Sequence, residues 1–178
     1  MADGRKKSNI KNHVLVGVFA AVICVLSVVP IPFVILGVPA TLQTFAIALS
    51  GFVLGKKRGV AATCIYVLVG LAGLPVFGGG RGGIEVIFNL TGGFLYGFLF
   101  LAFFCGMGQQ KSVKTVIYST VGLLLCHGAG IIQFSLITGR GFAESLILVT
   151  APYIVKDAVM VAVAYTTALG VRKTGAVN

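Results

Sequence analysis

The sequence contains few charged residues and very few acidic ones. Only 10% of its 178 residues are charged, with four Asp or Glu against 14 Lys or Arg, and tryptophan is absent. Soluble domains usually carry about 25% charged residues, so this chain cannot cover a water-facing globule with polar side chains. The 57% share of hydrophobic residues and the mean hydropathy of +1.04 instead predict an integral membrane protein.

Cysteine pairs and metal-ligand spacings are missing too. The four cysteines lie within apolar runs, without a CxxC pair or a His/Cys cluster. Cysteine behaves as a small hydrophobic residue in such surroundings, so neither a disulfide framework nor a metal or other cofactor is predicted. The cysteines are Cys24, Cys64, Cys105 and Cys126.

Nucleotide-binding and catalytic motifs lack the context that their chemistry requires. Residues 78–83 read GGGRGG and match GxGxxG, but no βαβ unit surrounds them. The segment Gly51–Gly59, GFVLGKKRG, lacks the spacing and the hydroxyl residue of a phosphate-binding loop. Neither His13 nor His127 lies in a nucleophile–base pattern, and we interpret His127 as a hydrogen-bonded packing residue. The chain is therefore predicted not to be an enzyme, and any ATP would be used by another subunit.

Six apolar stretches predict an all-α, polytopic membrane protein with six transmembrane helices in a single membrane-embedded domain, 1–178. A helix needs about 20 residues to cross a hydrocarbon core of about 30 Å, so the second and third stretches are short. Merging those two would place Lys56, Lys57 and Arg58 at mid-membrane, where charges are costly. The stretches are Val14–Leu36, Thr41–Gly55, Gly59–Leu74, Thr91–Met107, Thr115–Ile137 and Tyr153–Val171.

The basic residues predict the orientation of the chain. With the N-terminus inside, eleven Lys and Arg fall on the cytoplasmic side and two, Arg81 and Arg140, on the outer side. By the positive-inside rule both termini then face the cytoplasm. Because these cations flank apolar segments, they indicate a lipid bilayer and no nucleic-acid partner. The outer segments are Pro30–Gln43, Gly73–Phe94 and Thr138–Pro152, the last with a short helix at Phe142–Leu148.

Small residues recur at four-residue spacing within the stretches, a pattern that lets helix backbones approach closely in lipid. Packing within the chain is the favoured explanation. A docking surface for a partner helix is the alternative, and Gly17 with Ala21 is its best candidate. The other sets are Gly55 with Gly59, Gly93 with Gly97, and Gly122 with Cys126 and Gly130.

Asp157 is an acidic residue inside the sixth apolar stretch. A charge there is costly unless it has a partner or a function. An ion pair with Lys156 is one explanation, but adjacent helical residues point about 100° apart, so a ligand contact is favoured. For Glu85, a salt bridge to Arg81 is left open.

The outer segment Gly73–Phe94 is rich in glycine. Glycine lets backbone N–H groups approach a small ligand, and irregular backbone at membrane depth is tolerated where it lines a cavity. Arg81 adds a positive charge suited to a carboxylate. The segment therefore predicts a small-molecule pocket that opens outward. Its aromatic walls and amide group would come from Phe77, Phe88, Asn89, Phe94 and Tyr96.

Three segments resemble the biotin-specific S components of energy-coupling factor (ECF) transporters, the BioY family. They are VPATLQTF at Val38–Phe45, GLPVFGGGRGGIEVIFNLTGGFLYGF from Gly73, and APYIVKDAV at Ala151–Val159. The resemblance implies a substrate-binding subunit without ATPase activity, multi-pass in the plasma membrane of a prokaryote. It would capture biotin from outside and work with a transmembrane coupling protein and two ATPase subunits, docking through Gly17 and Ala21.

The resemblance implies binding residues in the segment Gly73–Gly93 and at Asp157, and for their roles we form a hypothesis from the chemistry of biotin. Asp157 would accept hydrogen bonds from the ureido N–H groups of biotin, and Arg81 or Lys156 would balance its carboxylate. The chain departs from the family pattern at Asn89-Leu90, at Lys156 and at Met160, the last of which replaces a lysine. The predicted ligand-binding residues are Gln43, Phe77, Arg81, Gly82, Gly83, Asn89, Tyr96, Tyr153, Lys156 and Asp157.

Two other classes of protein stay open. A self-sufficient secondary transporter of a small carboxylate-bearing solute would favour inverted repeats and ion-coupling carboxylates. The sequence has no evident repeat, and Asp157 is its single firm intramembrane acid. A structural or assembly protein of the membrane gives no reason for the glycine-rich segment.

Overall fold

The computed structural model describes residues 2–35, 38–108 and 113–175. Within these ranges the chain forms seven α-helices, one short 3-10 helix and one two-stranded hairpin. The elements are α1 Ala2–Val28, β1 Pro30–Ile35, β2 Val38–Thr41, α2 Gln43–Leu54, α3 Lys56–Leu71, the 3-10 helix Ile84–Phe88, α4 Gly92–Met107, α5 Val113–Thr138, α6 Phe142–Val149 and α7 Ala151–Lys173.

Each of the six apolar stretches overlaps one of the longer helices, and the predicted short helix at Phe142–Leu148 is confirmed as α6. Three helical segments are long and apolar enough to cross a membrane: Ile10–Val28, Val113–Thr138 and Ala151–Lys173. Helices α2 and α4 are apolar but have 12 and 16 residues. At 1.5 Å per residue, α2 is about 18 Å long. The membrane class is therefore supported, whereas six complete spans and cytoplasmic termini stay predictions.

The all-α class is confirmed, and the hairpin of β1 and β2 is a short non-helical element that was not predicted. The first apolar stretch was predicted to extend to Leu36, but α1 ends at Val28 and the chain turns into β1. Proline at position 30 cannot continue the helix, and it biases the preceding residue toward extended backbone. Strands β1 and β2 then pair in antiparallel orientation, with Ile35 opposite Val38.

Helices α2 and α3 fold back on each other at Gly55. This residue has a φ of 83°, a conformation that favours glycine. A Cβ atom on Gly59 would lie 2.8 Å from the Cα of Gly51, so the two backbones touch. The second and third stretches thus form two separate helices, as predicted, and Lys56 and Lys57 are exposed at the turn.

Helices α4 and α5 are held together by small residues. A Cβ atom on Gly97 would lie 2.6 Å from the Cα of Cys126, and one on Gly93 would meet the carbonyl of Ala129. The prediction that these small residues pack within the chain is confirmed for this pair of helices. Gly17 differs, because a Cβ atom there would have no neighbour within 4 Å.

Helix α2 lies at the centre of the molecule. Residues 46–55 are all buried, and α2 contacts α1, α3, α4 and α7. Arginines satisfy the carbonyl groups at its C-terminus: Arg58 Nε donates to Leu54 at 3.0 Å, and Arg172 donates to the carbonyl of Phe52. The opposite, N-terminal end of α2 faces a cavity.

Candidate functional site

The cavity has a volume of about 440 Å³, within the range usual for small-molecule sites. It lies between the N-terminus of α2, the glycine-rich segment, and helices α4 to α7. Most of its wall is aromatic or aliphatic, which suits a ligand with a substantial apolar part. The apolar lining residues are Phe77, Val86, Leu90, Phe94, Leu95, Phe98, Leu123, Phe134, Leu148, Val149 and Tyr153.

A cluster of polar side chains around Asp157 interrupts this apolar wall. Thr44 Oγ1 donates a hydrogen bond to Asp157 Oδ1 at 2.7 Å, and Lys156 Nζ lies 2.5 Å from the same oxygen. His127 Nε2 lies 3.2 Å from Oδ2. All four residues line the cavity, and Asp157 is 7% exposed. One carboxylate therefore joins α2, α5 and α7.

The contact between Lys156 and Asp157 corrects an expectation drawn from helix geometry. Adjacent positions do point about 100° apart on a helix, but the long, flexible lysine side chain carries its ammonium group back to its neighbour. Its charge offsets that of Asp157, which reduces the cost of burying the carboxylate. The ion pair and the position in the cavity occur together, so the two explanations for Asp157 do not exclude each other.

The cluster keeps hydrogen-bonding capacity for a ligand. A carboxylate has about four acceptor sites, and the three described contacts leave one of them on Oδ2. The ammonium group of Lys156 has three N–H donors, of which the contact with Asp157 uses one. An acceptor and a donor thus stand side by side on the polar part of the cavity wall.

His127 lines the cavity between α4 and α7. Its Nε2 carries the proton that Asp157 accepts, and its buried Nδ1 has no hydrogen-bond partner among the described residues. The ring packs edge-on against Phe94, with centroids 5.6 Å apart. The interpretation of His127 as a hydrogen-bonded packing residue is confirmed, but it missed the position in the cavity.

The glycine-rich segment enters the site as a tight turn, residues 77–81. The backbone N–H of Phe77 donates to the Arg81 carbonyl at 2.9 Å, and Gly79 and Gly80 have φ of 78° and 70°. Arg81 Nε donates to the carbonyl of Gly78 at 3.1 Å, so the side chain is fixed on its own turn. Glu85 is exposed, and no ion pair joins it to Arg81 in the part of the chain that the structure describes.

Gln43 is fixed at the N-terminus of α2 by buried aromatic residues. Its Nε2 donates to Tyr66 Oη at 2.5 Å, and the Tyr66 ring packs edge-on against Phe77 at 5.5 Å. Because the amide nitrogen is engaged, Oε1 remains as an acceptor. That oxygen lies beside Gly78, 3.6 Å from where a Cβ atom would stand. The turn and α2 therefore meet at this point of the cavity.

The structure brings six of the ten predicted ligand-binding residues to the cavity wall. These are Gln43, Phe77, Arg81, Tyr153, Lys156 and Asp157. The other four, Gly82, Gly83, Asn89 and Tyr96, are not among its lining residues.

Each of those four has other surroundings. Gly82 packs against the carbonyl of Leu74, and the N–H of Gly83 donates to Gly70 at 2.7 Å. Asn89 accepts a hydrogen bond from the next residue at 2.7 Å, and Tyr96 is 47% exposed.

Six polar lining residues were not predicted from the sequence: Thr41, Thr44, Thr91, His127, Thr138 and Arg140. Thr44 and His127 act through contacts between helices, for which the sequence carries no local signal. Arg140 did carry one, since it is one of two cations on the predicted outer side. Among the described residues, no group of three His, Cys, Asp or Glu side chains is placed to hold a metal ion.

Comparison with known proteins identifies relatives over most of the chain. It is 35% identical to the biotin transporter BioY of Thermotoga maritima over 163 residues, 88% of this chain and 93% of that protein. It is 39% identical to a probable biotin transporter BioY of Pyrococcus horikoshii over 127 residues, 71% of this chain and 76% of that protein.

A solved structure is similar as well. The crystal structure, at 2.1 Å, of the S-component for biotin from an ECF-type ABC transporter matches with a TM-score of 0.81 and 26% identity. The match covers 94% of this chain and 93% of that one. The model of the BioY family matches residues 4–176. The chain therefore belongs to the BioY family.

Proposed function

We propose that this chain is the substrate-binding S component of an ECF-type transporter and that it binds biotin from outside the cell. The observation that carries the proposal is the buried Asp157 cluster, set in the wall of an apolar cavity of about 440 Å³. Biotin has matching parts: a ureido ring with N–H donors and a carbonyl, an apolar thioether ring and chain, and a terminal carboxylate.

The ureido ring fits the polar cluster. Asp157 Oδ2 has room to accept one ureido N–H, and Lys156 has N–H groups to donate to the ureido carbonyl. Gln43 Oε1 offers a further acceptor on the same part of the wall. Phe77 and Tyr153 would contact the apolar rings, and the carboxylate would extend toward an arginine of the lining. Because these polar groups are buried, a ligand that leaves one of them without a hydrogen bond would bind much more weakly, and this gives specificity.

The predicted residues outside the lining have an indirect role in this proposal. Gly82 and Gly83 shape the glycine-rich segment by close backbone packing, and Asn89 closes the turn before α4. Tyr96 lies on an exposed face of α4, where a tyrosine suits the membrane interface.

The membrane arrangement follows the family. We propose one domain, 1–178, with six helices in the plasma membrane and both termini in the cytoplasm. Gly17 and Ala21 are exposed on α1, and close backbone approach at such a pair suits a helix of the coupling protein. Two ATPase subunits would complete the transporter.

The direct test is equilibrium binding of biotin to the detergent-purified chain. Saturable binding of one biotin per chain is expected, and absence of binding to protein that is folded by circular dichroism would refute the proposal. Uptake is then measured with and without the coupling and ATPase subunits. A self-sufficient secondary transporter would accumulate biotin without these subunits, whereas an S component would need them.

Docking through α1 has its own test. Gly17→Leu is expected to abolish co-purification with the coupling protein while biotin binding stays intact. Gly170→Leu on α7 is the matched control, because a Cβ atom at either position meets nothing within 4 Å. Equal loss in both variants, or in neither, would count against a docking surface on α1.

A further inference from the structure

Arg140 lines the cavity at the far end of α5 from the Asp157 cluster. His127, Phe134 and Thr138 all line the cavity, and their spacing of seven and four residues puts them on one face of α5. His127 and Thr138 are eleven positions apart, which corresponds to about 16 Å along the helix. Arg140 follows directly after this face and stands between α5 and α6. The cavity therefore has a polar cluster at one end of the α5 wall and an arginine at the other.

Arg81, the other arginine of the lining, belongs to the end with the cluster. Its Nε is bonded to the Gly78 carbonyl, and Gly78 lies beside Gln43 Oε1. Gln43 precedes Thr44, whose hydroxyl donates to Asp157. Gln43 thus lies between the turn of Arg81 and the residue that contacts the carboxylate, which places this turn near the cluster. A ligand whose donor groups occupy Asp157 would thus meet Arg140, rather than Arg81, with its distant end.

The backbone of Arg140 is held in place. Ser135 Oγ donates to its carbonyl at 2.6 Å, and the preceding Gly139, with φ of 69°, donates its N–H to the Ser135 carbonyl at 2.9 Å. The chain therefore leaves α5 in a tight turn that fixes where the Arg140 side chain starts.

The guanidinium group of Arg140, in contrast, has an exchangeable partner. It is paired with Glu144, four residues along, and the side chains are 47% and 53% exposed. Exposed pairs of this kind contribute little net stability because water replaces either partner. A guanidinium has five N–H donors and binds carboxylates bidentately. A ligand carboxylate can therefore replace Glu144, or share the arginine with it, at little cost.

We propose that Arg140 binds the carboxylate of the ligand and that Glu144 competes with the ligand for it. The inference rests on the proposed binding of biotin and adds the residue that selects for an acidic tail. In this arrangement Arg81 stabilises the ureido end through the turn, and Lys156 serves as the counter-charge of Asp157.

The test compares biotin with biotinol, in which an alcohol replaces the tail carboxylate, by equilibrium binding to the full-length detergent-purified chain. Wild-type protein is expected to prefer biotin by about tenfold, the usual effect of one charge-assisted contact. Arg140→Gln should remove this preference by weakening biotin alone, and Arg140→Lys should retain most of it. Arg81→Gln should weaken both ligands by the same factor.

Glu144→Gln supplies the opposite change. Removal of the competing carboxylate is expected to raise the affinity for biotin about two- to threefold and to leave biotinol unaffected. An equal loss of both ligands in Arg140→Gln, or an unchanged preference for biotin, would overturn the assignment of Arg140. Circular dichroism of each variant reports that the protein is folded, so an equal loss of both ligands is a result about binding. Failure of wild-type protein to bind either ligand would instead contradict the proposed function itself.

Discussion

Among the described residues, two acid–base pairs at the cavity join residues close in sequence, and they are opposites in burial. In the pair of Lys156 with Asp157 the side chains are 23% and 10% exposed, and the carboxylate has further partners on α2 and α5. In the pair of Arg140 with Glu144 the side chains are 47% and 53% exposed and lie on a single turn of chain. Both combine one acid and one base close in sequence.

The difference shows that burial, more than charge, decides what such a pair can do. Removing one member of a buried pair leaves the other charge without a partner and without solvation. In an exposed pair, water solvates the charge that remains. The buried pair can therefore define the site, and the exposed pair can exchange partners when a ligand arrives. Four substitutions test this contrast.

Asp157→Asn is expected to have the largest effect. The amide nitrogen would face the ammonium of Lys156 and the N–H of His127, and the acceptor for the ureido group would be lost. Biotin affinity should fall at least about 100-fold, as measured by isothermal titration calorimetry in detergent. Glu144→Gln makes the same acid-to-amide change in the exposed pair, so similar losses in the two variants would break the comparison.

Lys156→Met should weaken biotin binding by about tenfold or more, because the ligand loses a charged donor and Asp157 loses its counter-charge. The variant Asp157→Asn/Lys156→Met should lose less than the two single variants combined, since the partners depend on each other. Strictly additive losses in the double-mutant cycle would indicate that the two residues act independently.

Thr44→Val removes one hydrogen bond to Asp157 Oδ1 with little change of shape. A loss of about fivefold in biotin affinity is expected, the usual effect of one buried hydrogen bond. Thr63→Val is the control: its hydroxyl is equally buried but donates to the Gly59 carbonyl on α3, away from the cavity. If Thr63→Val weakens binding as much, the effect comes from general destabilisation.

Glu144→Gln should have the smallest effect on stability. The free energy of unfolding is expected to change by less than about 0.5 kcal/mol, which a thermal or denaturant titration of the detergent-solubilised protein can measure. A loss of about 3 kcal/mol or more, the size expected when a buried pair is broken, would place the exposed pair in the same class as the buried one.

The sequence predicts the helices well because apolar runs and basic boundaries are local signals. It missed the hairpin of β1 and β2, because the residues around Pro30 are apolar, and a short apolar run does not distinguish a strand from a helix. It singled out Asp157, which lines the cavity, because a charge in an apolar stretch is conspicuous on its own. Thr44 and His127 become meaningful only when helices 113 and 30 residues away in sequence from Asp157 pack beside it.

The glycine-rich segment shows a second limit of prediction from the sequence. Composition singled out the glycine-rich segment as a whole, but it could not separate Phe77 and Arg81, which line the cavity, from Gly82 and Asn89, which do not. That distinction depends on the turn closed between Phe77 and Arg81 and on the packing of Phe77 against Tyr66.

The contact of Gly97 with the backbone of Cys126 limits how this protein can evolve. A methyl group at position 97 would force α5 away from α4, and His127, the next residue on α5, would shift relative to Asp157. The wall residues can vary and adapt the cavity to other ligands, but the gap between α4 and α5 has no tolerance for a larger residue. Relatives that bind another substrate should therefore differ at aromatic positions of the wall and retain glycine at position 97.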